Sequence, residues 1–412
     1  MRTPVVPSRS QAGFTLTEML MTLLVLSLLI LGLLGLFDLN NRVARVQMNV
    51  TDMQQSLRAA QYDMLHIARM AGRGPVPAML APNAGLGYAG KRLPNGIAVS
   101  VTPVNASMKM AGSDDAKVVR GTDILTVRGV FSTPVYQIRN ATLTLDGSPP
   151  KTGSITVDPI TPTGIPQDLN PLKTAINDKW PEALLLISPQ DDAVYAVVEL
   201  DTSTINGDGS LTLNFKITGG TYTDSYNQIS PDGRFSPDLK RAAYVGILEE
   251  YRYYIREDWS GTAGASDFSP KLSRARFFPG TDVKWGNPGN TNDLAEDIAD
   301  NVFDLQVALG IDVSGNGVIE ENADLTKDEW LYNAAGDNTD PAAWAAGKLF
   351  YVRINTAARS DRRDPKYQAP LLTTLEDRSY GASSGVWNLN TDTERMYRRE
   401  NLQTVVDLRN IS

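Results

Sequence analysis

The apolar residues of this chain are unevenly spread, and their spacing predicts most of its elements. Residues 19–37 carry no charge and are mostly Leu, Met, Ile and Val. In a helix those residues span about 28 Å, the thickness of one bilayer core. Past Phe37 the pattern loosens but keeps a helical period. Val43, Val46, Val50, Met53, Leu57, Ala60, Met64, Ile67 and Ala71 recur at spacings of three and four, which predicts an amphipathic continuation buried against the chain's own globular part. No proline falls between Pro7 and Pro75, and Gly72-Arg73-Gly74-Pro75 is a strong stop. One helix is therefore predicted from Phe14 to Ala71.

After Pro75 the period changes. Short strand-like runs are predicted at 124–130, 184–187, 193–200, 210–217, 243–254, 302–309, 349–354 and 402–408, several with apolar and polar residues alternating. Asn206-Gly207-Asp208-Gly209 between two of them signals a hairpin. Stretches 75–122 and 255–300 are rich in Gly, Pro, Asn and Asp and read as long loops. No repeat period is visible. The expectation is one β-rich head over 75–412, with room for two lobes.

Composition then removes several classes of function. There is no cysteine, which excludes disulfides, thiolate metal sites and cysteine nucleophiles, and the single histidine, His66, excludes a multi-histidine metal site. His66 lies inside the helical stretch with no nucleophile motif around it. Neither a P-loop nor a Gly-x-Ser-x-Gly elbow occurs, so no enzyme is expected. The 39 basic and 47 acidic side chains give a net charge of −8, so general nucleic-acid binding is not expected, although Arg359–Arg363 forms a local basic patch.

The segment ahead of the apolar run carries the most specific signal. Arg2 and Arg9 make a short basic leader, and Glu18 stands at the leading edge of the run. By position alone Glu18 either marks the headgroup boundary or is a functional intramembrane acid. Gly13-Phe14-Thr15-Leu16-Thr17-Glu18, between a basic leader and an apolar helix, resembles the processing signal of type IV prepilins. That resemblance implies cleavage between Gly13 and Phe14 by a prepilin peptidase and N-methylation of Phe14. It makes residues 1–13 a leader peptide, and residues 14–74 the helix, transmembrane over 19–37 and amphipathic over 38–71. Glu18 of one subunit would then pair with the Phe14 amine of a neighbour during assembly, each relieving the other's desolvation. Cleavage removes Arg2 and Arg9 and takes the side-chain charge from −8 to −10.

The other end narrows the resemblance. Asn301-Val302-Phe303-Asp304-Leu305-Gln306-Val307, then Gly310-Ile311-Asp312, and the closing Arg398-Arg399-Glu400-Asn401-Leu402 with Val405-Val406-Asp407-Leu408-Arg409-Asn410, are similar to the PilW-like minor pilins. This implies an α+β pilin-like fold, a long N-terminal helix packed on a large antiparallel β-rich domain. It also implies a low-abundance subunit that primes assembly of a type IV pilus and caps its tip. The alternative is a minor pseudopilin of a type II secretion system, which shares the N-terminal machinery. Implied partners are other minor pilins, the major pilin, a tip adhesin of the PilY kind and the prepilin peptidase. The implied location is the inner membrane with the N-terminus cytoplasmic, then the pilus or cell surface.

One loop suggests a cation. Asp312-Val313-Ser314-Gly315-Asn316-Gly317-Val318 resembles the first half of an EF-hand-type loop, with Asp312, Ser314, Asn316 and the Val318 carbonyl as calcium ligands. The twelfth place, where a bidentate acid belongs, is Ala323; Glu320, Glu321 and Asp324 are the nearest acids. The competing reading is a plain Gly-Asn-Gly turn. No cofactor is required, and calcium is the one candidate. The 219–227 segment, rich in Gly, Thr and Tyr, reads as a solvated turn or a contact loop.

Overall fold

The computed structural model describes residues 14–73, 98–104, 108–109, 117–139, 144–147, 150–177, 183–187, 195–216, 240–259, 268–277, 296–322, 324, 327–334, 347–381 and 388–408. It divides into two units, residues 1–52 and 53–412, and one helix, Leu16–Arg69, contributes to both. In the first unit every described residue from Phe14 to Arg45 is exposed, the whole apolar run included. This is the one helix among the described residues long and apolar enough to cross a membrane. Two hydroxyls within the apolar run are satisfied by the helix itself. Thr22 Oγ1 donates to the Glu18 and Met19 carbonyls at 2.9 Å each, and Ser27 Oγ to that of Leu24 at 2.8 Å.

In the second unit the helix buries Met53, Leu57, Ala60, Gln61, Met64, Ile67 and Ala68. The predicted stripe holds from Met53 on, with Gln61 and Ala68 added, whereas Val43 is exposed and Val46 and Val50 are half-buried. The helix tightens after Ile67 and ends with Gly72 at φ +73°, a left-handed residue that glycine adopts at no steric cost. The Gly72 N–H donates to the Arg128 carbonyl, and the Val130 N–H to that of Arg73, so the helix exit is tied to the first sheet.

That first sheet is antiparallel, with order Val99–Pro103, Asp123–Gly129, Glu249–Trp259, Phe268–Phe277, Glu296–Asp300; Lys117–Val118 joins it beside Glu249–Trp259 and pairs in turn with Met108–Lys109. A second antiparallel sheet runs Trp330–Leu331, Val302–Asp312, Lys348–Arg359, Arg399–Asp407. The helix stripe, Leu125, Val127, Tyr253 and Ile255 of the first sheet, and Leu305, Val307, Ile354 and Val406 of the second share one apolar core. A long apolar helix packed on antiparallel sheets is the α+β pilin-like fold. Phe268–Phe277 and Glu296–Asp300 fall where loops were expected. Their sequences mix Pro, Ser, Lys, Arg and acids, and they become strands through long-range pairing.

A third sheet interrupts the first. The chain leaves at Gly129 and returns at Glu249, two residues directly paired across the strands. Between them the order is Tyr136–Gln137, Tyr244–Ile247, Ala183–Ile187, Tyr195–Ile205, Leu211–Lys216, Pro150–Val157, Thr144–Gly147. This lobe has its own core, including Ile155, Leu172, Val198, Leu213, Phe215 and Ile247. The predicted 206–209 hairpin is present, with Ile205 paired to Leu211. The predicted single strand 243–254 is two strands in different sheets, Tyr244–Ile247 and Glu249–Trp259, broken at the buried Leu248. Alternation cannot show that break, because both parts bury apolar side chains.

Because the insert begins and ends at paired residues, its removal closes a tight hairpin. Replacing residues 131–247 by an Asn-Gly turn is expected to leave the first and second sheets folded on the helix. Calorimetry of the full chain in detergent checks this: the shortened protein should keep one cooperative transition, and loss of all cooperative unfolding would show the insert to be integral.

Candidate functional site

Thr15-Leu16-Thr17-Glu18 forms a reciprocal capping box at the helix start. The Glu18 N–H donates to Thr15 Oγ1 at 3.3 Å, while Glu18 Oε2 accepts the Thr15 N–H and its hydroxyl at 2.9 Å each. Glu18 Oε1 has no partner among the described residues, so one oxygen holds the helix start and the other is open to an incoming cation. Phe14 is exposed next to this box; Gly13 and the leader lie outside the described residues. Sequence reasoning placed Glu18 at the membrane edge but did not read the Thr-x-x-Glu spacing as a cap.

In the head, two polar side chains of the helix fix how it seats. Gln61 Nε2 donates to the Leu402 carbonyl at 2.6 Å and its Oε1 accepts the Thr404 hydroxyl at 2.6 Å, which ties the helix to the second sheet. Asp63 accepts the Tyr253 hydroxyl at 2.6 Å and Arg274 Nη1 at 2.9 Å, which ties it to the first. Burial, and then Asp63 itself, push the Tyr253 hydroxyl well above its ordinary pKa, so it stays a donor. His66 is exposed on the helix.

The two sheets meet through buried polar groups. Asn301, at φ +60°, turns the chain from Glu296–Asp300 into Val302–Asp312. Asp304, fully buried, takes Arg378 Nη1 at 2.7 Å, Gln306 Nε2 at 2.9 Å and the Tyr380 hydroxyl. The small hairpin of Thr374–Leu375 and Arg378–Ser379 delivers the arginine and tyrosine. Asp123, at the start of its strand, accepts the Val307 N–H at 2.8 Å.

Asp312 organises the predicted loop. Its Oδ1 accepts the Gly315 and Asn316 N–H groups at 2.6 and 3.1 Å and the Ser314 hydroxyl at 3.3 Å, and its Oδ2 accepts Gly317 N–H at 2.8 Å. Gly315 and Gly317 both have positive φ, which this tight turn requires. Asn316 Oδ1 accepts the Val318 N–H at 2.7 Å. The acid that closes the loop is Glu329. Its Oε1 accepts the Val313 and Ser314 N–H groups at 3.1 and 2.9 Å, and its Oε2 that of Glu320 at 3.1 Å. Glu329 arrives because Trp330–Leu331 pairs with Leu309 and Gly310. Among the described residues no group of three or more His, Asp or Glu side chains could hold a metal. The oxygens of Asp312 and Asn316 that the sequence offered to calcium accept the loop's own backbone N–H groups here. Ala323 and the 219–227 segment lie outside the described residues.

These features define a class: a protein with one apolar N-terminal helix whose second half is seated on an antiparallel head. Residues 8–34 match the family model of the prokaryotic N-terminal methylation motif, and residues 252–410 that of type IV pilus-assembly protein W, PilW. No curated protein and no solved structure matches the chain. The two matches support a PilW-like type IV pilin whose apolar helix is an inner-membrane anchor.

Proposed function

We propose that this pilin is a minor subunit that primes assembly of a type IV pilus and caps its tip. The observation that supports this is the insert spanning residues 130–248, which adds a third sheet with its own core to a head already seated on the helix. A subunit repeated along a filament shaft has little room for that bulk; a tip subunit does. In this reading the prepilin peptidase cleaves between Gly13 and Phe14, and Phe14 is methylated. Glu18 Oε1 then receives the Phe14 amine of a neighbour. Arg2 and Arg9 hold the N-terminus in the cytoplasm and the head lies outside. The assembled neighbours are other minor pilins and the major pilin, and the insert presents a surface to a tip adhesin of the PilY kind.

The test is mass spectrometry of sheared filaments and of the membranes left behind. A methylated peptide beginning at Phe14, cross-linked in filaments to minor pilins, is the expected result. The same peptide confined to membranes and linked to secretion components would make the chain a pseudopilin of a type II secretion system, and an uncut N-terminus would overturn both readings.

The Asp312 loop is also a proposed calcium site, held by Asp312, Ser314, Asn316 and the Val318 carbonyl. With a single carboxylate its affinity falls in the weak extracellular range, about 10⁻⁴–10⁻³ M. Calorimetric titration of the full chain should show this binding and its loss in Asp312→Ala; no heat from the unmodified chain would remove calcium from the account.

A further inference from the structure

Two stretches of like composition meet at one end of the second sheet. Residues 359–366 and 392–399 together hold seven basic and four acidic side chains, in a chain of net −8. The backbone joins them: the Ser360 N–H donates to the Arg398 carbonyl at 2.8 Å, the Asp364 N–H to that of Met396 at 2.9 Å, and Arg359 stands opposite Arg399 in the strand pair. Arg359 and Arg363 lie 4.1 and 5.4 Å from the Tyr397 ring centroid, and Arg398 lies 4.4 Å from that of Tyr367.

The carboxylates present answer part of this charge. Arg359 pairs with Glu394 at 2.7 Å, Arg398 with Asp364 at 3.0 Å and, loosely, Arg362 with Asp361 at 3.8 Å. Arg395 donates to the Ala369 carbonyl and Arg399 to that of Glu394, and neither forms an ion pair with a carboxylate among the described residues. Arg398 Nε and Arg399 Nη1 are buried without an acceptor among the described residues. Burial first, and then neighbouring guanidiniums, hold Arg359 and Arg399 below their ordinary pKa. Like charges facing across a strand pair and buried donors without acceptors both cost stability. At the rim Arg362 is 83 % exposed, and Arg363 and Lys366 are exposed as well.

We infer that this basic patch docks an acidic segment of a neighbouring subunit, whose carboxylates meet the exposed side chains of Arg362, Arg363 and Lys366 at its rim. The inference rests on the pilin reading above. Three features favour a protein carboxylate over a nucleic-acid phosphate. Tyr397 is buried beneath the guanidiniums of Arg359 and Arg363, and that of Arg398 lies over Tyr367, which leaves little ring face for base stacking. The patch is small and the rest of the chain is acidic, a poor match to a phosphate polymer. It also lies inside the residues matched by the pilus-assembly model and beside the helix, where Gln54 Nε2 donates to Glu400 at 3.4 Å.

The experiment uses the full chain in its own cell envelope, with a photo-reactive residue in place of Asp361, alongside Arg362→Glu combined with Lys366→Glu. The expected results are cross-links to an acidic stretch of another filament subunit and a roughly tenfold drop in filament incorporation, restored by Arg362→Lys with Lys366 intact. An unchanged unfolding midpoint for the double variant would show that the loss is not misfolding. If the wild-type chain is in filaments but the reversal has no effect, or the cross-links go to lipid or DNA, the inference is overturned. If the wild-type chain is itself missing from filaments, the pilin reading fails and the inference falls with it.

Discussion

Glu18→Gln is expected to be cleaved and methylated normally, to begin its helix where the wild type does, and to be lost from filaments by at least about tenfold. The reasoning separates two jobs of one side chain. Its Oε2 closes the capping box with Thr15, a task glutamine performs as well as glutamate. In the assembly proposed above, its negative charge answers a neighbour's Phe14 amine in a low-dielectric setting, and glutamine cannot supply it. Glu18→Ala removes both and should incorporate no better. Quantitative mass spectrometry of sheared filaments, normalised to processed protein in the membrane, reads the effect. Normal incorporation of Glu18→Gln would assign Glu18 to the cap alone. A loss seen in Glu18→Ala but not in Glu18→Gln would say the same.

Asp304→Ala is expected to destabilise the head by about 3–5 kcal/mol, because it leaves the Arg378 guanidinium buried without its carboxylate. The Tyr380 hydroxyl and the Gln306 amide lose an acceptor in the same change. Urea unfolding of the full chain in detergent, followed by tryptophan fluorescence, measures it; a change under about 1 kcal/mol would mean that water replaces the carboxylate. Asp123 lies in the same region and should respond in the opposite sense. Burial, then the charges of Asp377 and Asp304, raise its pKa well above the ordinary carboxylate value, against the Val307 N–H and Arg378. A carboxyl that holds its proton more tightly when folded contributes least at neutral pH, and its contribution is lost as pH rises from about 4 through the raised value. Asp123→Asn, which keeps an acceptor for Val307, should therefore be more stable than wild type near pH 7 and equal to it below about pH 4.

The basis of the first prediction lies in one contiguous segment, whereas that of the second was not legible locally. Periodicity determined the long helix, its apolar first half and the stripe it buries at Met53, Leu57, Ala60, Met64 and Ile67, and the turn residues at 206–209 determined their hairpin. Each is encoded over a few turns or a few residues, and burial enforces the same period in the fold. The processing signal was legible for the same reason, since cleavage and membrane entry read a contiguous segment. Tertiary structure alone decided the rest. Nothing near Leu248 announces that one apolar run belongs to two sheets, and nothing near Gly129 announces that Glu249 is its partner across the strands. Gln61 and Asp63 look like surface positions of an amphipathic helix until strands from far along the chain supply their partners. Asp304 needs a hairpin more than seventy residues on, and the acid that closes the Asp312 loop sits beyond the window any loop motif covers. Arg359–Arg363 read as a surface patch, but the fold buries Arg359 and adds Arg395, Arg398 and Arg399 beside it. A polar side chain's role is set by what it meets, and in an antiparallel fold of long crossovers that partner is fixed by strand pairing, which local sequence does not specify.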